Sequence, residues 1–420
     1  MTSDAARQLE TLWRMESPRL VARVARMTGD VGVAEELVQD VLVQALQRWP
    51  VNGVPDNPAA WLMTASRHRA VDHLRQRALH GERQREYAVE LDLHDASRDG
   101  GPEMHAHDDI GDDLLRLMFV ACHPVLPVDA RVALTLRLLG GLSVEEIARA
   151  FLTRDATISQ RIVRAKQKLR EAHVPFEVPR RDELPERLDA VLQVIYLVFN
   201  EGYAATAGDD LVRPALCEDA MRLGRVLAGL MPDESEVRGL VALMELQASR
   251  LNARTDADGN AILLADQDRR RWDRTLIQHG LAELDRAIAL GGADRSYTLQ
   301  ASIAACHARA ASTDATDWTR IATLYAQLSD VTGSPVVELN RAVAESMAFG
   351  PERALTRVDR LIEDGALGDY ALLPAVRGDL LDRLGRAAEA RIEFERAASL
   401  IRNARERRVL LDRAARCGAA

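Results

Sequence analysis

Residues 142–171 read LSVEEIARAFLTRDATISQRIVRAKQKLRE, and the fold turns on how this stretch is divided. Ser143 and Glu146 stand at S-x-x-E spacing, a capping box that satisfies two free amides at a helix start. Val144, Ile147, Ala148 and Phe151 follow at helical spacing and give that first helix one apolar face. Leu152-Thr153-Arg154 is a short turn, after which Ile158, Ile162, Ala165 and Leu169 define the buried face of a second helix. Thr157, Gln160, Arg161, Arg164 and Lys168 are left on a common outer face. Such side chains reach phosphates and base edges, arginine pairing with guanine and glutamine with adenine. The spacing predicts a helix-turn-helix, a unit equally at home as a solvated hairpin in a helical repeat protein, so the rest of the chain decides its use.

Composition favours helices throughout. Aromatic residues make up 4% of the 420-residue chain, which is 47% hydrophobic and 28% charged. Aliphatic, alanine-rich sequence of this kind packs helix on helix, so an all-α protein with several cores is expected. Cys122, Cys217, Cys306 and Cys417 are far apart, with no CxxC pair and no zinc-ligand spacing. That pattern implies reduced thiols and a cytoplasmic chain. The N-terminus has no apolar signal core, and no run approaches the roughly 18 apolar residues of a membrane span.

The net charge of -9 is unlike that of a typical nucleic-acid binder, but its distribution is uneven. Residues 67–85 carry six arginines against Asp72 and Glu82, and residues 154–173 carry six basic residues against Asp155 and Glu171. Between them, residues 86–113 hold ten acids and only Arg98. Two basic helical patches therefore flank an acidic connector, read as an extended or disordered linker over 81–112.

Upstream, residues 19–49 form a helical pair broken near Thr28-Gly29-Asp30. The second helix puts Leu37, Val38, Val41, Leu42, Ala45, Leu46 and Trp49 on a core stripe and Glu35, Glu36, Gln39 and Asp40 on the opposite polar surface. WPVNGVPDNP (49–58) is a loop ending in Asn57 as N-cap and Pro58 at the first helical position. The next helix, through Arg77, faces Trp61, Leu62, Ala65 and Leu74 inward and leaves Arg67, His68, Arg75 and Arg77 outside. Apolar spacing over 113–140 predicts two helices separated by Pro124 and Pro127.

Beyond Pro179 the chain is a series of amphipathic helices. Leu284-Asp285-Arg286-Ala287, Val358-Asp359-Arg360-Leu361 and Phe394-Glu395-Arg396-Ala397 recur at intervals near one or two units of about 36 residues, with Gly350 and Gly385 at turns. This period suits a divergent tetratricopeptide-like array. Leu188, Val191, Leu192, Ile195, Val198 and Phe199 form a core face, and Asn200, Glu201 and Tyr203 follow as a polar cluster that could hold a ligand or partner.

Taken together, AEELVQDVLVQALQRW (34–49), NPAAWLMTASRHRAVDHLRQR (57–77) and the helix-turn-helix resemble, in order, the signature elements of bacterial RNA polymerase sigma factors of the extracytoplasmic-function (ECF) group. VIYLVFNEGYAAT (194–206) and the helical repeats look like the subgroup with a fused C-terminal TPR-like domain. The resemblance implies sigma region 2 at 1–80, the linker, region 4 at 113–174 and the C-terminal domain at 180–420. It also implies that Glu36, Gln39 and Asp40 contact the β′ clamp coiled coil of core polymerase, with the β flap as a further contact. The loop 50–57 would capture an unstacked promoter base, with Arg67, His68, Arg75 and Arg77 holding the downstream element. Thr157, Gln160, Arg161, Arg164 and Lys168 would read the upstream element. The acidic connector corresponds to the linker that threads toward the polymerase active centre. His68 stands where many relatives have Asn, and the turn lacks their common glycine.

Neither a catalytic constellation nor a cofactor motif is present, so a non-enzymatic protein without metal or cofactor is expected. A rival reading takes His105, His107, Asp108, Asp109, Asp112 and Asp113 as a metal-dependent hydrolase site, but no second shell fixes them. Two other classes compete with the sigma factor: a helix-turn-helix regulator with a TPR-type sensor acting without polymerase, and a scaffold whose basic patches are merely solvated. The C-terminal array would offer a concave surface to an unidentified protein or peptide.

Overall fold

The computed structural model describes residues 2–79, 104–151, 153–204, 212–256, 261–365, 367–368, 370–401 and 404–417. Helices account for all the regular structure among these residues apart from one isolated antiparallel bridge between Thr255 and Ala261. The chain divides into two compact units, Met1–Ile195 and Tyr196–Ala420.

In the first unit α1 (Thr2–Thr28), α2 (Val31–Asn52) and α3 (Pro58–Leu79) pack against one another. Leu20, Val24, Val38, Val41, Leu62 and Ala70 are buried between them. The break after α1 forms because Gly29 takes a left-handed φ of 68° and Asp30 caps α2, its carboxylate accepting from the amides of Gly32 at 2.7 Å and Val33 at 3.1 Å. Contrary to the loop read from Trp49, α2 runs on through Pro50 to Asn52 and ends at Gly53, whose φ of 86° suits only glycine. Pro50 has no amide to donate to the Leu46 carbonyl, a loss confined to the last turn of the helix. Asn57 does cap α3, accepting from the Ala60 amide at 3.1 Å.

A fourth helix, α4 (Met104–Ala121), begins inside the acidic stretch read as a linker. The buried stripe Leu117, Met118, Phe119 and Val120 anchors it, and an anchored helix extends backward through polar residues at little cost. Asp113, grouped on sequence with the acidic connector, is almost fully buried. It accepts from Arg116 at 2.7 Å and from Arg23 and Arg26, each at 3.5 Å, tying α4 to α1. The expected linker residues 81–103 and the side chains of His105, His107, Asp108, Asp109 and Asp112 lie outside what is described. After α5 (Val128–Leu138) come the two helices of the opening motif, α6 (Val144–Ala150) and α7 (Asp155–Glu171), each packed on its predecessor or on α5.

The boundary between units falls within α8 (Leu184–Tyr203), whose apolar face from Leu188 to Phe199 is buried as its spacing indicates. The second unit continues with α9 (Pro214–Leu230), α10 (Ser235–Ala248), α11 (Arg274–Ala289), α12 (Ser296–Arg309), α13 (Trp318–Thr332), α14 (Pro335–Phe349), α15 (Pro351–Glu363), α16 (Leu372–Arg383), α17 (Ala387–Leu400) and α18 (Ala404–Cys417). From α9 onward each helix packs on the next in sequence, as in stacked helical repeats. The recurring tetrads explain this: Leu284 and Ala287, Val358 and Leu361, and Phe394 and Ala397 are buried at first and fourth positions on α11, α15 and α17. Gly350 and Gly385 take φ of 99° and 74° at the turns before α15 and α17.

Candidate nucleic-acid interface

The capping box of the opening motif is made in both directions. The Ser143 amide donates to Glu146 at 2.8 Å and the Glu146 amide donates to the Ser143 hydroxyl at 3.1 Å. With α6 so fixed, Ile147 and Ala148 are buried and α7 presents Ile158, Ile162, Ala165 and Leu169 to the same core. Thr157, Gln160, Arg164 and Lys168 are exposed, and Arg161 is half-buried beside Asp129 at 3.5 Å. At roughly 100° per residue the five fall within about 100° of arc, a single face the width of a groove contact.

On the other flank of α7 the basic residues behave differently. Lys166 pairs with Glu35 of α2, and Arg137 of α5 reaches the same carboxylate at 2.6 Å. Gln39 donates to it as well, at 2.8 Å. Glu35 is 5% exposed, so it is a buried hub joining α2, α5 and α7, not part of a solvent-facing acidic surface. Arg170 reaches Asp30 at 2.5 Å. Burial pushes the Asp30 carboxyl up, but the hydrogen bonds from Arg170, Val33 and Gly32 outweigh it and hold the group below its ordinary value.

The residues expected to meet polymerase therefore have unequal surroundings. Glu36 is exposed, Gln39 is half-buried against Glu35, and Asp40 pairs with Arg69 at 2.9 Å. Of the seven residues assigned to the core stripe of α2, Leu42 is half-buried and Leu46 is 46% exposed. Leu46 joins Val43, one turn before it, in an exposed apolar edge toward the end of the helix, which the stripe reading missed.

On α3, His68, Arg75 and Arg77 are exposed and Arg67 is half-buried. Helical geometry aligns His68 with Arg75 on one side, whereas Arg77 and His73 line a cleft of about 820 Å³ with Asp30, Glu36, Lys166 and Arg170. The four do not form one surface. Trp49 and Trp61 meet edge to face with centroids 5.6 Å apart, bracing the loop between α2 and α3. Glu35 was legible in principle, since Val31, Glu35, Val38 and Leu42 stand at i, i+4, i+7 and i+11 and so share the buried side of α2.

The profile of sigma-70 region 2 matches residues 12–79 and that of sigma-70 region 4 matches residues 116–169, so the first unit is built as a sigma factor's paired DNA- and polymerase-binding regions. Residues 187–288 match a family of unknown function, DUF6596. An uncharacterized protein of Rhizobium meliloti is 45% identical over 395 residues, covering 93% of this chain and 91% of that one. The probable ECF RNA polymerase sigma factor SigI of Mycobacterium tuberculosis is 29% identical over 170 residues, 40% of this chain and 56% of that one. The ECF RNA polymerase sigma factor SigK of Mycobacterium ulcerans is 28% identical over 153 residues, 36% of this chain and 78% of that one. The chain belongs to the ECF-type sigma factors, which direct transcription initiation by RNA polymerase, and carries an extra C-terminal helical domain. Among the described residues, no helix is long and apolar enough to cross a membrane.

Proposed function

We propose that the outer face of α7 reads the upstream promoter element while α3 and the loop after α2 hold the melted downstream element. The observation that carries this is the state of Thr157, Gln160, Arg164 and Lys168: all are exposed on one face, and none is ion-paired with another described residue. Arginine and lysine displayed without carboxylate partners can neutralise phosphates and release counterions, and glutamine can read a base edge. Arg75, which also lies 4.0 Å from Asp72, supplies positive charge along α3, and the exposed His68 a polar ring beside it. Extruding a promoter base costs a few kcal/mol, which such contacts offset.

Glu36 and Asp40, with the apolar edge of Val43 and Leu46, form the docking surface for the β′ coiled coil of core polymerase, and region 4 contacts the β flap. An acidic helix beside an apolar edge suits a partner carrying arginines on a helical hairpin. The chain acts in the cytoplasm, without catalysis of its own. The second unit controls sigma activity in cis through a protein or peptide partner, a role supported by its fusion to the DNA-reading half.

Run-off transcription with purified core polymerase tests the assignment. Full-length protein should support promoter-specific initiation, and Glu36→Ala with Asp40→Ala should weaken core binding. Tight promoter binding by the chain alone, with no co-purification of core, would establish the polymerase-independent regulator instead. Equal promoter output from residues 1–195, checked for folding by circular dichroism, would remove the regulatory role of the second unit.

A further inference from the structure

Most arginines that join helices in the second unit end on carboxylates: Arg225 on Glu245, Arg238 on Glu283, Arg357 on Glu338 and Glu345. Arg250, Arg254 and Arg269 do not. They gather where α10 gives way to the irregular segment before α11, around two aromatic rings. The guanidinium carbon of Arg254 lies 3.9 Å from the centroid of Tyr203 and that of Arg250 lies 5.7 Å from the same ring. Arg250 and Arg269 lie over Trp272 at 5.8 and 4.8 Å.

Their hydrogen bonds run only to neutral acceptors. Arg250 donates through one nitrogen to the Tyr203 hydroxyl and the Gln247 side chain. Arg269 donates to the carbonyls of His307 and Ala310 and to the Thr316 hydroxyl, using both terminal nitrogens. The Arg254 side chain donates to no described residue, and its buried Nε is without a partner, as is the indole nitrogen of Trp272. Arg250 acts on Arg269, and both act on His307. Burial, and then Arg250, pulls Arg269 below its ordinary value, while burial, Arg250 and Arg269 push His307 down to about 4 and leave it neutral at pH 7.

Stacking on a ring explains one guanidinium per ring face, with the remaining donors in water. It does not explain three cations drawn together with no described carboxylate among them, an arrangement whose mutual repulsion an anion would relieve. We propose that Arg250 and Arg254, both held against the Tyr203 ring, form an anion site that takes the phosphate group of a small molecule, with Arg269 adding to the field. A phosphate fits better than a single carboxylate because it brings close to two negative charges and three acceptor oxygens to two separate guanidinium forks. The site lies within the residues matched by DUF6596, and it is independent of how the first unit meets DNA.

The test uses the full-length protein, following thermal unfolding and calorimetric binding with pyrophosphate and inorganic phosphate at constant ionic strength, with acetate as the control. Pyrophosphate should stabilise saturably, and acetate should not. Arg254→Met, whose wild-type side chain makes no hydrogen bond to a described residue, should fold normally and bind pyrophosphate about tenfold or more weakly. Arg254→Lys should recover part of the affinity, and Arg391→Met, on a distant exposed pair, should bind like wild type. The proposal is overturned by stabilisation no greater than ionic strength gives, by equal binding in Arg254→Met, or by a single-stranded oligonucleotide that binds through the same arginines more tightly than pyrophosphate.

Discussion

The two basic flanks of α7 have the same residue types and opposite uses. Lys166 and Arg170 point toward α2 and are neutralised by Glu35 and Asp30, so they hold the first unit together. Arg164 and Lys168, one helical step away, face outward without a carboxylate partner. Positive charge on a helix thus says little about nucleic-acid binding until its counter-charges are located, because a paired cation has no net field left for a phosphate. Substitutions on the two flanks should separate stability from promoter recognition.

The largest effect is expected on the inner flank. Glu35→Ala strands Arg137 and Lys166 beside a vacated, nearly buried site, and removing one member of such a cluster costs about 3 kcal/mol or more. Chemical denaturation should show that loss in the midpoint. Arg137→Met and Lys166→Met with Glu35→Leu, which removes all three charges, should recover much of it. Equal stability of Glu35→Ala and wild type would mean that the cluster is solvated and that the two flanks do not differ.

On the outer flank the result should invert. Arg164→Ala with Lys168→Ala leaves the denaturation midpoint within about 0.5 kcal/mol of wild type, since exposed residues without partners contribute little to folding. Promoter-specific run-off transcription should fall about tenfold or more, and the salt dependence of promoter binding should flatten by about one contact per residue removed. A stability loss matching that of Glu35→Ala would place these residues with the structural flank.

Much of this was legible in the sequence, and the misses have physical causes. The capping box, the Asn57 cap, the paired prolines between α4 and α5 and the buried ends of each tetrad are local patterns, in which a few neighbouring residues determine the backbone. Glu35, Asp113, Lys166 and Arg170 were misassigned or passed over because their partners lie far away in sequence: Arg137 is 102 residues from Glu35, and Asp30 is 140 from Arg170. Residue type alone marks them as surface. The same holds for Arg250 and Arg254, whose aromatic partner Tyr203 was recognisable only as part of a polar helix end.

Asp30 gives a smaller effect with a pH signature. Its folded carboxyl sits below the ordinary value of 3.8, so it favours the folded state above that pH and loses the contribution as pH falls through the lower folded value. Asp30→Asn keeps a capping side chain for α2 but breaks the charge pair with the exposed Arg170. The variant should lose about 1 kcal/mol at neutral pH and show a shallower fall in stability below about pH 4. An unchanged acid limb would mean that the charge of Asp30 contributes nothing to the acid dependence of folding.

The smallest effect is expected for Arg69 and Asp40, which join α3 to α2 in the open. Their side chains are 44% and 52% exposed, so water screens the 2.9 Å contact and a double-mutant cycle should return no more than about 0.5 kcal/mol. The pair matters for a different reason. Asp40 is one of the carboxylates assigned to polymerase docking, and a weak internal partner can be displaced by an arginine of the coiled coil at little cost. Arg69→Ala should therefore leave the denaturation midpoint almost unchanged while core polymerase binds as tightly as before or slightly more tightly. Asp40→Asn, at the same stability, should weaken it. If both variants lowered core affinity equally, the intact pair would be the feature recognised, and this edge of α2 would behave as the inner flank of α7 does, with its charges fixed by structure.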